Sequence, residues 1–316
     1  MGDVMHAVIS RPEMRDAVLN FGTVKIPLAD YETTGLCCVC VGPRGCGKTN
    51  AGQVMVEQLS EQGWCSLIID PEGEMELMYG QAVQSPGELR ERLLARDKPI
   101  VVVRAAGAEE FVPYGEVILK VADIVRKPLL VMVDEGQLFS GPQLRADSLG
   151  EAARILQDFA ERGRKRAIDF FVTALRHTGS VSRSLFDSAN LTLIGAQRDS
   201  RTWSSLAPQF KSVGLSFGDL SSLGAAEFFC TSTRGVEKVR MPMAAALAKV
   251  ATKAKPAKRV LPATFNQWDR AMRDMPLQRL AALTDPVVDL LGQIAGVPAV
   301  KMDAGRAALL DELASR

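Results

Sequence analysis

A glycine-rich segment in the first part of the chain has the residue types that bind phosphate. Residues 42 to 49 read G-P-R-G-C-G-K-T and match the pattern G-x-x-x-x-G-K-[ST]. Glycine lets the backbone approach an anion closely, and successive backbone N–H groups can then form a cup around it. A helix starting near Lys48 would add the positive end of its dipole. We therefore predict a phosphate site, with Lys48 on the β- and γ-phosphates and Thr49 on Mg²⁺.

The residues on either side of this segment fit a strand, a loop and a helix in that order. The apolar run at residues 36–41 predicts a short buried strand. Apolar positions at helical spacing after Thr49 predict a helix that ends at Gly63. The phosphate-binding motif requires this context. The predicted nucleotide contacts are the loop and the residue after it: Gly42, Pro43, Arg44, Gly45, Cys46, Gly47, Lys48, Thr49 and Asn50.

Two further predicted strands end in carboxylates. The apolar run at residues 129–133 is followed by Asp134 and Glu135, and the run at residues 65–69 is followed by Asp70. Because ligands bind at the carboxyl ends of parallel strands, these acids are expected near the phosphate loop. We predict that Asp134 holds Mg²⁺ through water and that Glu135 is a catalytic residue that polarises the attacking water. For Asp70, magnesium binding and a simple acidic turn remain alternatives.

The order of the predicted elements indicates an α/β protein. Strands alternate with helices as far as residue 194, and residues 228–231 and 236–240 read as a closing hairpin. We expect a lead-in at residues 1–35 with an edge strand at 21–28, followed by a nucleotide-hydrolase domain at 36–243. Residues 244–264 carry five basic residues and no acid, which predicts a basic linker, and 265–316 predict a small helical C-terminal appendage.

Composition indicates the cellular compartment and restricts how the chain could bind nucleic acid or metal. The net charge is +1, so any nucleic-acid contact must come from local patches. Three of the six cysteines share one apolar strand, which favours their use as small core residues in a reducing compartment. A cysteine metal site is disfavoured because the chain has only two histidines. We expect a cytoplasmic protein with no membrane span and no secretory signal.

Several short stretches together resemble the HerA/FtsK group of ring-forming, DNA-translocating ATPases. The Asp70 stretch is similar to the D-P-x-G-E signature of HerA, and the Arg162 stretch is similar to the family's E-G-R-K turn before the sensor strand. The resemblance covers about residues 20–240. The matching stretches are Val24–Leu28, the phosphate loop, Ile69–Glu74, Val133–Glu135 and Glu161–Lys165.

The resemblance implies more than the motifs alone predict. It implies a RecA-like, three-layer sheet of the P-loop class that has an additional strand and a catalytic glutamate. It also implies a homo-hexameric ring with ATP between neighbours and double-stranded DNA as partner. Arg164 or Arg162 would be the catalytic arginine that reaches the γ-phosphate of the next subunit. The family's Gln-Arg pair after the sensor strand is replaced here by Leu175-Arg176. Thr173, Arg176 and Gln197 therefore remain the alternatives for sensing the γ-phosphate.

The functional hypothesis is an ATP-hydrolysing motor that moves double-stranded DNA through a ring. One alternative is a viral genome-packaging ATPase with the same type of ATPase domain, which would place the protein in a virion. Another is a nucleotide-gated scaffold that does not move DNA and recruits a nuclease, a membrane partner or a capsid protein through residues 265–316. A GTPase or a small-molecule kinase is disfavoured because no N-K-x-D signature is present.

Two minor features leave alternatives open. Four arginines after the fifth and sixth predicted strands either line a pore and touch DNA phosphates or are ordinary surface residues; they are Arg176, Arg183, Arg198 and Arg201. Cys46 lies at a helix N-terminus beside Lys48, an environment that predicts a lowered thiol pKa and suggests redox control.

Overall fold

An eight-stranded, mostly parallel β-sheet forms the centre of the structure. The computed structural model describes residues 16–125, 128–141, 147–177 and 181–253, so the predicted appendage at 265–316 and most of the predicted linker lie outside them. The strands are β1 Val18–Asn20, β2 Lys25–Pro27, β3 Cys37–Val41, β4 Cys65–Asp70, β5 Ile100–Arg104, β6 Leu129–Val133, β7 Ile168–Ala174, β8 Leu191–Ile194, β9 Glu227–Ser232 and β10 Gly235–Arg240.

The strand order places one strand between the phosphate-loop strand and the carboxylate strand. The order is β10-β9-β8-β3-β7-β6-β4-β5, so β7 separates β3 from β6. The pairs from β8 across to β5 are parallel, and β9 and β10 close one side as the predicted antiparallel hairpin. The predicted α/β fold with an additional strand is confirmed.

Helices cover both faces of this sheet. They are α1 Lys48–Glu61, α2 Glu76–Tyr79, α3 Pro86–Ala95, α4 Ala108–Ile124, α5 Ser148–Arg166, α6 Arg183–Ser188, α7 Ser200–Ser212, α8 Phe217–Ser221 and α9 Ala245–Lys253. Successive residues of a strand point to opposite faces. Val39 accordingly packs in the core beneath α4 and α5, and Cys38 and Cys40 pack in the core beneath α1. The predicted three-layer arrangement is confirmed.

The N-terminal strands lie apart from the main sheet. Within the predicted edge strand only Lys25–Pro27 is extended, and it pairs antiparallel with β1 as a separate two-stranded ribbon. Two glutamines at the C-terminal end of α1 hold this ribbon. The amide of Val18 donates at 2.9 Å to Oε1 of Gln62, the residue that follows the helix, and the amide of Asn20 donates to Gln58 Oε1 at 2.6 Å. Side chains of the helix thus replace the sheet pairing that the alternating pattern suggested.

Helix α5 is longer than its sequence pattern predicts. The apolar stripe predicts an end near Arg162, but the helix continues to Arg166 and ends where Ala167 adopts a left-handed conformation with φ of 55°. Asp147 caps the other end by accepting from the amide of Gly150. The basic residues predicted to form a turn therefore occupy the last helical turn, where cations are favoured by the helix dipole.

Gly163 allows this last turn to pack against the start of β7. A Cβ at this position would lie 2.6 Å from the backbone carbonyl oxygen of Ile168. We predict that Gly163→Ala lowers the free energy of unfolding by about 1–3 kcal/mol through overpacking. That loss corresponds to a melting temperature about 3–10 °C lower in a thermal scan followed by circular dichroism.

The matched control is Gly87→Ala in α3, where the nearest atom to a new Cβ is Ser85 Oγ at 3.7 Å. Alanine stabilises a helix relative to glycine, so this control should melt at the wild-type temperature or slightly above it. Equal melting temperatures for the two variants would contradict the close approach at Gly163.

Candidate nucleotide-binding site

The phosphate loop connects the end of β3 to the start of α1, as predicted. The amide of Gly42 donates to the carbonyl of Ala174 at 3.2 Å, so the loop begins beside the end of β7. Gly47 has φ of 98° and precedes the first residue of α1. A Cβ on Gly42 would lie 2.5 Å from Cys46 Sγ. Both glycines are therefore required for the shape of the loop.

Lys48 is a buried cation without a carboxylate partner. Its side chain is 6% exposed, and its ammonium donates to the carbonyl of Pro43 at 3.2 Å. Among the described residues no carboxylate forms an ion pair with it. Burial of an uncompensated ammonium is costly. The loop and Lys48 therefore fit an anionic ligand such as a triphosphate, which would supply the missing negative charge.

Asp134 connects the phosphate loop to the two central strands. Thr49 Oγ1 donates to Asp134 Oδ2 at 2.9 Å, and Thr173 Oγ1 donates to Asp134 Oδ1 at 2.6 Å. The carboxylate is 7% exposed. Burial raises the pKa of Asp134 above its usual value, while the two hydroxyl donors oppose this shift.

These groups fit a magnesium ion. One carboxylate and one hydroxyl of the protein, with phosphate and water oxygens completing the shell, form the type of site that Mg²⁺ prefers in nucleotide enzymes. Thr49 and Asp134, both predicted as magnesium residues, lie in contact here. A bound cation would also stabilise the ionised form of the buried Asp134.

Glu135 is held in an unusual backbone conformation beside this cluster. Its φ and ψ are both 49°, in the left-handed region that costs energy for a residue other than glycine. Its amide donates to Thr173 Oγ1 at 2.8 Å, and its carboxylate accepts from Gln137 Nε2. Thr173 thus fixes the carboxylate of Asp134 and the backbone of Glu135 with one hydroxyl. From the sequence, Thr173 was a candidate only for sensing the γ-phosphate.

Two predicted ligands have other partners in the structure. Asp70 is 2% exposed and accepts from the amides of Glu72, Gly73 and Met75 at 3.2, 3.0 and 2.7 Å. Its carboxylate thus stabilises its own turn, which corresponds to the structural alternative. The side chain of Asn50 points away from the phosphate loop: it donates to the carbonyl of Pro242 at 2.8 Å and accepts from the amide of Ala244 at 2.9 Å.

The two candidate catalytic arginines lie far from the chain's own phosphate loop. Arg162 and Arg164 are exposed near the C-terminal end of α5, which runs back to the side of the sheet where the parallel strands begin. A Cβ on Gly35, just before β3, would lie 3.3 Å from the Cα of Arg164. The phosphate loop lies at the opposite edge of the sheet. Neither arginine can therefore serve the nucleotide of its own chain.

The remaining arginine candidates are exposed, and two of them follow strands at the phosphate-loop edge. Arg176 follows β7 and Arg198 follows β8, while Arg201 lies in the first turn of α7. Arg183 lies 3.6 Å from Asp187 in a loose ion pair. Gln197 is buried on the far side of β3 from Asp134, with its Nε2 3.4 Å from the carbonyl of Gly195.

Cys46 does not have the environment that a reactive thiol needs. Burial raises the pKa of the Cys46 thiol, and the nearby Lys48 ammonium and backbone donors only partly offset this. The expectation of a lowered pKa at the helix N-terminus was wrong, because desolvation exceeds the attraction of the cation. All six cysteines are free and buried.

The raised pKa of Asp134 predicts a cost to folding. Because the folded state binds this proton more tightly than the unfolded chain, the free energy of unfolding falls as pH rises through the interval between the two pKa values. We predict that Asp134→Asn raises the melting temperature of the nucleotide-free protein at pH 7 in EDTA. The rise should be about 2–4 °C for each kcal/mol recovered. Asparagine can keep both hydrogen bonds, because the hydroxyl of Thr49 can reverse and accept.

The exposed Asp187→Asn is the matched control for this charge removal and should leave the melting temperature unchanged within about 1 °C. An Asp134→Asn protein that melts below wild type under these conditions would contradict the assigned cost.

Comparison with known proteins shows the fold. No protein-family model and no curated protein sequence matches this chain. The structure is similar to that of the genome packaging NTPase B204 from Sulfolobus turreted icosahedral virus 2. The B204 complex with AMPPCP gives a TM-score of 0.52 at 14% identity, over 66% of this chain and 99% of that one. The complex with sulfate gives 0.53 at 13% identity, over 67% and 98%.

A further structure of B204, described as the DNA-packaging ATPase of Sulfolobus turreted icosahedral virus, gives a TM-score of 0.52. Its identity to this chain is 12%, over 65% of this chain and 97% of that one. At these identities the similarity concerns the fold. This chain therefore has the α/β fold of the P-loop NTPases.

Proposed function

We propose that this chain is an ATP-hydrolysing motor that moves double-stranded DNA. The observation that carries the proposal is the set of contacts that joins Thr49, Asp134, Thr173 and Glu135 beside a phosphate loop with a buried, unpaired Lys48. This arrangement brings a phosphate loop, a magnesium site and the carboxylate of Glu135 together at the C-terminal ends of the parallel strands, as hydrolysis of a nucleoside triphosphate requires.

Each group of the candidate site would have a separate role in hydrolysis. The backbone of residues 42–48 and the ammonium of Lys48 would hold the phosphates and compensate the charge that develops during transfer. Mg²⁺, held by Thr49 and through water by Asp134, would supply further positive charge at the β- and γ-phosphates. Glu135 would accept a hydrogen bond from water and orient it for in-line attack on the γ-phosphorus.

The position of the arginines supports action in a ring. Arg162 and Arg164 lie at the sheet edge opposite their own phosphate loop, so either can act only on the nucleotide of a neighbour. An arginine supplied in this way is worth about 10³–10⁵ in rate. A closed ring of identical subunits, which we propose to be a hexamer, gives every site such a donor.

Exposed arginines support DNA as the partner. Arg176, Arg198 and Arg201 are all exposed near the phosphate-loop edge, although the chain has no strong net charge. Contacts from such loops to DNA phosphates would be independent of sequence and would weaken as salt increases.

Genome packaging is the second candidate. It is favoured by the similarity in fold to B204, which is described as a genome packaging NTPase. The two B204 structures match over 99% and 98% of their own length and cover 66% and 67% of this chain. Binding to a capsid vertex would favour packaging.

A nucleotide-gated scaffold that recruits a nuclease through residues 265–316 is distinguished by deletion of that segment. The deletion would abolish recruitment and leave DNA-stimulated ATPase intact.

Two substitutions test the motor proposal. We predict that Glu135→Gln lowers kcat for Mg-ATP hydrolysis by about 10²–10⁴ and leaves nucleotide binding intact, because only the residue that orients water has changed. Lys48→Ala should abolish both binding and hydrolysis, because the buried cation that meets the phosphates is gone.

The measurement is phosphate release with and without duplex DNA at two salt concentrations, together with the mass of the assembly with and without ATP. The proposal predicts DNA stimulation that declines with salt and a nucleotide-dependent hexamer. The exposed variant Lys120→Gln, whose ammonium pairs with Glu116 in α4, is the control for general loss of charge. ATP hydrolysis by a monomer that is indifferent to DNA would contradict the motor.

A further inference from the structure

The residue two positions after Glu135 has an unusual environment. Gln137 lies in a short 3₁₀ turn at residues 136–138 that follows Glu135 directly. The turn is fixed against β7, because a Cβ on Gly136 would lie 2.4 Å from Val172 Cγ2. Phe139 ends the turn and packs against Phe111, with ring centroids 5.0 Å apart. The backbone that carries Gln137 is therefore held on both sides.

The orientation of the Gln137 amide follows from its partner. A carboxylate can only accept hydrogen bonds, so the group that faces Glu135 Oε2 must be Nε2 and not Oε1. Gln137 Oε1 then faces elsewhere, and it is buried. Among the residues that the structure describes, this oxygen has no hydrogen-bond partner. A buried acceptor without a donor is unfavourable by about 1–3 kcal/mol, so its presence beside a catalytic candidate calls for a ligand.

We propose that Gln137 is a further catalytic residue, which orients the attacking water together with Glu135. This inference rests on the proposed ATP hydrolysis. A water molecule has two hydrogens to donate, and the Glu135 carboxylate and Gln137 Oε1 provide two acceptors. With both hydrogens held, a lone pair of the water oxygen is free to face the γ-phosphorus. The amide of Gln137 also fixes Glu135 through Nε2.

The reaction balances with these groups alone. The bond from the water oxygen to the γ-phosphorus forms, and the bond from the γ-phosphorus to the β,γ-bridging oxygen breaks, leaving ADP. One water proton passes to Glu135 and from there to phosphate or solvent, while the hydrogen held by Gln137 stays on the product phosphate. Gln137 therefore acts as an acceptor of a hydrogen bond and does not change its own protonation.

The test separates catalysis from binding and folding. Gln137→Ala should lower kcat by about 10²-fold and leave the dissociation constant of a non-hydrolysable ATP analogue within about twofold of wild type. Leu138→Ala, an exposed position in the same turn, is the matched control and should keep the wild-type kcat. In a Glu135→Gln background the Gln137→Ala change should have little further effect, because both residues act on one water.

The remaining outcomes overturn either the role of Gln137 alone or the proposed ATP hydrolysis as well. An active wild type with equal kcat in Gln137→Ala overturns this inference alone. So does a loss of kcat matched by equal losses in nucleotide affinity and melting temperature. A wild type that binds nucleotide but fails to hydrolyse Mg-ATP overturns the proposed function, and this inference with it.

Discussion

The buried carboxylate of Asp134 is the group on which the rest of the site depends. It accepts from Thr49 at the start of α1 and from Thr173 near the end of β7, and Thr173 in turn accepts from the backbone of Glu135. Two elements that are separate in sequence, α1 and β7, are thereby fixed to one pair of oxygens. Burial raises the pKa of Asp134, so the ionised form costs free energy until a cation compensates it. The same carboxylate thus links folding, metal binding and the position of Glu135.

The phosphate and metal groups lie at one end of the parallel strands, and the candidate catalytic arginines lie at the other end. The phosphate loop, Asp134 and Glu135 lie where the parallel strands end, and Arg162 and Arg164 lie where they begin. A single chain therefore holds the phosphate and metal groups of a site at one end of its strands, and Arg162 and Arg164 lie at the other end. This geometry favours a closed assembly in which each subunit completes the site of the next, which is the arrangement that the motor proposal needs.

Much of the fold and part of the site could be predicted from local pattern. The strand from Cys65 to Asp70 was predicted with its observed bounds, and the closing hairpin was confirmed, because apolar runs and turn residues are local signals. The phosphate loop was placed correctly for the same reason. The contacts of Asn50 with Pro242 and Ala244 span 192 and 194 residues, and no local pattern indicates them. Thr173 was missed as the centre of the cluster because it reads as one more β-branched strand residue.

The central claim is that Asp134 and Thr49 form a magnesium site in which a bound triphosphate supplies further oxygen ligands. Its most direct test is a calorimetric titration of a non-hydrolysable ATP analogue into the wild-type chain, once with Mg²⁺ and once with EDTA. The account predicts that Mg²⁺ strengthens binding by at least about tenfold, or about 1.4 kcal/mol. Equal affinity with and without the cation, or no binding in either case, would contradict it.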